Sequence, residues 1–235
     1  MKPRNLLIII SAVTALTTTS CMINTATSKN EMTSIYDVST SYKSLSVRSA
    51  IKTEYRHDID KLQILADSSI LNKIKVIHDE DGIEIYASSF KSPFKITALI
   101  PASKKLESIE ISGASSFSSD GEIKAEELEI EVSGASKFDA NISCQSLKAS
   151  VNGASFASID GKAVNAEISV NGVSKLSSEC LNTDYADVDI SGASKAEIIC
   201  NKNITGEVSG ASKLSFGGTA KSDVSTSGAS KVSRK

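Results

Sequence analysis

One tetrapeptide governs what this chain can fold into. Ser-Gly-Ala-Ser, or a close variant of it, begins at Ser112, Ser133, Asn152, Asn171, Ser191, Ser209 and Ser227. The central glycines Gly113, Gly134, Gly153, Gly172, Gly192, Gly210 and Gly228 are spaced by 21, 19, 19, 20, 18 and 18 residues. A unit of this length is too short for a paired-helix repeat or a propeller blade, and it matches one coil of a β-solenoid.

The flanks carry the same period. Two and four residues before each glycine the side chain is mostly apolar, as in Ile109/Ile111, Ile130/Val132, Ala149/Val151, Ile168/Val170 and Val188/Ile190. The positions between are polar: Glu129/Glu131, Lys148/Ser150, Glu167/Ser169, Asp187/Asp189. Alternation of period two describes a strand with one buried and one wet face. Stacked coils bring like residues into columns about 4.8 Å apart. The expected fold is therefore all-β: a right-handed parallel β-helix, or solenoid, of about seven Ser-Gly-Ala-Ser coils over residues 106–235. The chain has no Trp and 5% aromatic residues, which suits thin layers of small and branched side chains.

The glycines mark a bend or a close approach of backbone. The second serine of each unit (Ser115, Ser136, Ser155, Ser174, Ser194, Ser212 and Ser230) is expected to form a structural ladder with the glycines. A catalytic serine would need one activated member with a base, and the repeat contains no His.

Residues 35–105 lack the glycine-centred unit and read as a β-rich N-terminal cap, continuous with the solenoid as one domain. Ile74–Ile77 and Ile83–Tyr86 flank Asp81-Gly82 as a hairpin. Phe94, Ile96, Ala98 and Ile100 alternate up to Pro101; Leu45, Val47 and Ile51 suggest a further strand, and Ser68 to Leu71 a short helical turn. Residues 22–34 are polar and aperiodic, a flexible tether. Residues 1–21 read as an export signal of the lipoprotein type, with Lys2 and Arg4, an apolar stretch from Leu6 to Leu16, and Cys21 as the lipid-attachment residue. Thr18 departs from that pattern, where Leu is usual. The expected location is the outer membrane or cell surface, with the periplasm as the alternative, and the only membrane contact is the N-terminal lipid.

Net charge is −2, so no global field favours nucleic acid. Cys180 and Cys200 each lie eight residues after their repeat glycine, which makes a disulfide between adjacent coils a possibility in an exported chain; two small buried side chains are the alternative. No Cys/His spacing indicates a metal, and no cofactor is expected. His78 opens an acidic loop (Asp79, Glu80, Asp81) without calcium-loop spacing. Asp187 and Asp189 are the nearest approach to a glycosidase pair, but carboxylates recur at these phases in other coils, as solubilising groups do. Three residues after the repeat glycine stand Lys137, Lys175, Lys195, Lys213 and Lys231, which would stack into a cationic ridge suited to an acidic glycan; a solvated face is the alternative.

The strand-rich N-terminal segments, followed by Leu106-Glu107-Ser108-Ile109-Glu110-Ile111-Ser112-Gly113-Ala114-Ser115 and recurring Ser-Gly-Ala-Ser-Lys units, resemble the putative auto-transporter adhesin, head GIN domain family over about residues 36–232. The resemblance implies a β-helical fold, a Bacteroidetes-type envelope protein often carrying a lipoprotein signal, and no catalytic motif. The expected function is that of a non-enzymatic surface adhesin contacting a glycan or an envelope protein. A structural envelope assembly module is the alternative, and a polysaccharide lyase or hydrolase a more distant one.

Overall fold

The computed structural model describes residues 22–23, 30–88 and 95–235; the export signal and Cys21 lie outside the described residues. Eighteen strands and one 3₁₀ turn, Leu71–Lys73, make up its regular structure, so the chain is all-β. The 3₁₀ turn falls just after the Ser68–Leu71 position expected for a helical turn.

Each coil is a strand before the Ser-Gly-Ala-Ser turn and a strand after it. Strands 127–132, 146–151, 165–170, 185–190, 203–208 and 221–226 pair in parallel as one ladder ahead of the turns. Strands starting at Ser116, Lys137, Phe156, Lys175, Lys195, Lys213 and Lys231 form the ladder that follows them. The span Lys137–Val151 shows how sequence sets the course of a coil. Phe138, Ala140, Ile142 and Cys144 point inward, then Leu147, Ala149 and Val151 do so, while Gln145 and Ser146 are both exposed. Two successive outward residues break the period of two, and this is where the coil turns its corner.

The turns stack through their backbones. The N–H of Ala154 donates to the carbonyl of Gly134 at 2.8 Å, and those of Val173 and Ala193 repeat the bond at 2.7 and 2.8 Å. Gly153 shows why the position is glycine: its φ is +81°, and a Cβ there would lie 2.5 Å from the Gly134 carbonyl oxygen.

The N-terminal region does more than cover an end. Strand Ser44–Val47 pairs in parallel with both Gly82–Ala87 and Ser108–Ile111, and strand Lys52–Arg56 with both Thr97–Pro101 and Ser116–Lys124. Residues 44–56 are thus a coil of the solenoid, inserted between one formed by 82–101 and the first glycine-marked coil. The boundary expected at 105/106 falls inside continuous ladders. Capping is left to antiparallel strands: Ile74–His78 closes the first ladder against Gly82–Ala87, as the expected hairpin, and Leu62–Asp67 followed by Glu31–Tyr36 closes the second.

The core runs the length of the stack. Four of the buried aromatics, Tyr42, Tyr55, Phe117 and Phe138, gather at its N-terminal half, and Phe216 is buried near the other end. Phe117 and Phe138 stack with ring centroids 4.8 Å apart, and Tyr55 lies 5.9 Å from Phe117. Beyond them the same column narrows to Ala157, Leu176, Ala196 and Leu214. The Tyr42 hydroxyl donates to the Pro101 carbonyl at 2.7 Å, and the Tyr55 hydroxyl accepts from the Ser103 N–H at 2.6 Å, so the buried phenols are satisfied.

Candidate interaction surface

The second serine of the repeat is buried at Ser115, Ser136, Ser155, Ser174, Ser194 and Ser212. The hydroxyl oxygens of Ser155, Ser174, Ser194 and Ser212 accept hydrogen bonds from the backbone N–H of the preceding coil's serine at 3.3–3.4 Å. Ser194 and Ser212 also donate to the carbonyls of Gly172 and Gly192. In the last coil Ser230 turns to the carbonyls of Val208 and Ser227 instead. These contacts join one coil to the next, and none places a base beside a hydroxyl. The first serine or asparagine makes a shorter ladder: the Asn171 amide donates to Asn152 at 3.2 Å and the Ser191 hydroxyl to Asn171 at 2.5 Å.

On the outward face of the second ladder the register places Lys137, Phe156, Lys175, Lys195, Lys213 and Lys231 side by side in consecutive coils. The same column continues through Ser116 to Lys52. Phe156 was missed as part of this feature; its signal was the one repeat whose lysine phase holds an aromatic residue. The ammonium groups of Lys137 and Lys175 lie 5.9 and 5.6 Å from its ring centroid, so neighbouring coils hold the two cations against one ring. Lys195 pairs with Glu197 at 2.8 Å. Lys137, Lys175, Lys213 and Lys231 have no carboxylate partner among the described residues.

Acidic side chains occupy the outward face of the other ladder. Glu129, Lys148, Glu167, Asp187, Thr205 and Asp223 form one column, and Glu110, Glu131, Ser150, Ser169, Asp189, Glu207 and Ser225 the next. Lys148 pairs with Glu129 at 2.6 Å, and that carboxylate raises the lysine's pKa above its ordinary value. Asp187 accepts from the Thr205 hydroxyl at 3.3 Å. Asp187 and Asp189 are therefore members of repeating columns, with no feature that sets them apart as a cleaving pair. The acidic columns precede each turn and the lysine column follows it.

The cysteines are not brought together. A register shift between Ser178 and Asn182 places Thr183, not Cys180, beside Cys200. Cys180 is exposed and Cys200 buried, and both thiols are free. The equal count of eight residues from each glycine fails because the intervening bulge displaces one strand relative to the other. Cys200 donates to the carbonyls of Asn203 and Asp184 at 3.1 and 3.3 Å. Cys144 is buried too, and burial pushes its thiol up to about 11.

His57 sits where the inserted coil meets the next one. Its Nδ1 lies 2.7 Å from Asp120, which also accepts from the His57 backbone N–H and contacts Arg56 at 3.1 Å. Asp120 thus fastens two coils. In the hairpin loop Asp79 accepts the N–H groups of Asp81 and Gly82 at 2.9 and 2.8 Å, so this carboxylate shapes the turn. Among the described residues no three His, Cys, Asp or Glu side chains cluster to hold a metal, and no helix is long and apolar enough to cross a membrane.

A parallel solenoid of short coils with charge sorted onto its two ladders defines a repeat protein whose surfaces are columns. The particular family follows from the sequence: the profile described as "Putative auto-transporter adhesin, head GIN domain" matches residues 41–220, and the chain belongs to that family. Solved structures share the fold. A putative adhesin from Bacteroides fragilis NCTC 9343 superposes with a TM-score of 0.79 at 20% identity, covering 88% of this chain and 98% of its own. A putative lipid binding protein from Parabacteroides distasonis ATCC 8503 gives a TM-score of 0.68 at 16% identity, covering 88% and 97%. A putative adhesin from the same organism gives 0.67 at 15%, covering 87% and 97%. No curated protein matches the chain.

Proposed function

We propose that this protein is a non-enzymatic, surface-exposed adhesin-type module that grips an anionic polymer along its lysine column. The observation that carries this reading is the stacking of Lys175, Lys195, Lys213 and Lys231 in consecutive coils, with Lys137 held beyond Phe156. Cations at about 4.8 Å intervals on a flat ladder form a continuous positive edge. Each contact with a carboxylate or sulfate is weak, and binding accumulates because the polymer offers many groups to many coils. Membership of an adhesin family supports a surface location. Export with lipid on Cys21 would tether the stack to the envelope. The recurrence of carboxylates in columns, rather than as one isolated pair, disfavours a glycan-cleaving site.

Binding of residues 22–235 to acidic and neutral glycans at low and high salt tests the proposal. Acidic glycans should bind and be released by salt. Reversing Lys175, Lys195 and Lys213 to Glu should weaken that binding about tenfold or more, equivalent to about 1.4 kcal/mol. Binding that survives the triple reversal would remove the column from the function.

A further inference from the structure

A third outward column on the ladder that carries the acids has a different chemistry. Ser146, Asn165, Tyr185 and Asn203 stand in register in four consecutive coils. The Tyr185 side chain is 46% exposed, one of few large apolar groups at the surface. It is the aromatic member of a shallow depression that also includes Glu167, Asp187 and Thr205 from the adjoining column. The Lys202 ammonium lies over one face of the ring, 5.3 Å from its centroid, and is itself paired with Asp184 at 2.8 Å.

We propose that Tyr185 is the floor of a binding site for a neutral sugar ring, on a surface separate from the lysine column. A pyranose has an apolar face of C–H groups and an edge of hydroxyls. The face of the phenol ring that Lys202 does not cover supplies a flat apolar surface for the sugar face. Asn165 and Asn203, one coil to either side at about 4.8 Å, supply amides able to donate and accept toward vicinal hydroxyls. Neither amide side chain has a hydrogen-bond partner within the protein among the described residues. Glu167 and Asp187 are acceptors for further hydroxyls, and their charge turns away carboxylated or sulfated sugars. Lys202, over the opposite face of the ring, turns away a cationic ligand. The Lys202 contact restricts the ring, so part of the side-chain freedom is already lost before binding.

Calorimetric titration of residues 22–235 with hexasaccharides of β-1,4-glucan, β-1,3-glucan and α-mannan tests the site. At least one should bind, with an affinity that changes less than twofold between low and high salt. Tyr185→Ala should weaken it about tenfold, and Tyr185→Phe should retain it, since the ring and not the hydroxyl is required. Asn165→Ala together with Asn203→Ala should weaken it several-fold. Circular dichroism should be unchanged in each variant, because the side chains are outward. Failure of all three oligosaccharides to bind, or unaltered binding by Tyr185→Ala, would overturn the site. Neutral-sugar binding abolished by salt or by the lysine reversals would also overturn it while leaving the anionic-polymer proposal standing. Loss of acidic-glycan binding in the lysine variants, with neutral binding intact, separates the two surfaces in the other direction.

Discussion

The turns at residues 48–51 and 171–174 do the same work with different chemistry. In the second, Gly172 takes φ +84° and its backbone packs against Gly153, where no Cβ intervenes. In the first, Ser49 and Ala50 take φ +77° and +59°, and Gly113 of the neighbouring coil packs on the Ser49 backbone. The inserted coil therefore accepts a backbone conformation that costs L-residues about 1–2 kcal/mol each. Its strands are paired on both sides, so surrounding ladders hold the turn in shape. The comparison teaches that the glycine motif makes a coil cheap to repeat, whereas a coil with neighbours already in place can do without it.

The largest test of this contrast is Gly172→Ala. A Cβ would sit 2.5 Å from the Gly153 carbonyl oxygen at a positive φ. A destabilisation of about 3 kcal/mol is expected in denaturant titration; a loss below about 1 kcal/mol would mean that the glycine column is dispensable. Next comes Ser49→Gly, which should stabilise the protein by about 1 kcal/mol by relieving the left-handed backbone. A neutral or adverse result would show that the inserted turn carries no strain.

The smallest effect concerns regulation of stability by pH on the lysine face. Lys195, and beside it Lys235, hold the Glu197 carboxylate below its ordinary range. Its folded pKa is depressed, so its contribution is present above the unfolded value of about 4.5 and is lost as pH falls through the folded value. Glu197→Gln should flatten the acid limb of the stability profile by lowering stability slightly at neutral pH and leaving it unchanged below the folded value. An unaltered acid limb would show that the ion pair is formed equally in the unfolded chain.

Much of the fold could be read from the chain because a repeat averages out local ambiguity. Seven glycines in phase and alternating flanks define the coils from Ser108 onward, and the lysine column follows directly from the same phase. The inserted coil was illegible because Ser49 occupies the glycine position and Ile51 the place of the buried serine. The hairpin at Asp79–Gly82 was legible because its turn chemistry is local. Whether Cys180 and Cys200 pair could not be read from the chain, because counting from glycine ignores a bulge between Ser178 and Asn182, and bulges leave little trace in sequence. Tyr185 and its flanking asparagines were within reach of the same phase, since each lies seven residues before its repeat glycine, Gly192, Gly172 and Gly210. What the phase alone does not show is that these positions face outward past the corner of the coil, which the ladder does.

The inserted coil also dictates an order of events. Between the glycine-marked coils a strand finds its partner about 20 residues away, but Ser44 must wait for Gly82 and Ser108. A chain delivered N-terminus first, from a ribosome or through a membrane, therefore presents strand Ser44–Val47 with both edges bare until residues 82–85 have emerged and with one edge bare until residue 111 has emerged. Closure of that gap is the long-range, slow event, after which each new coil adds onto a finished template.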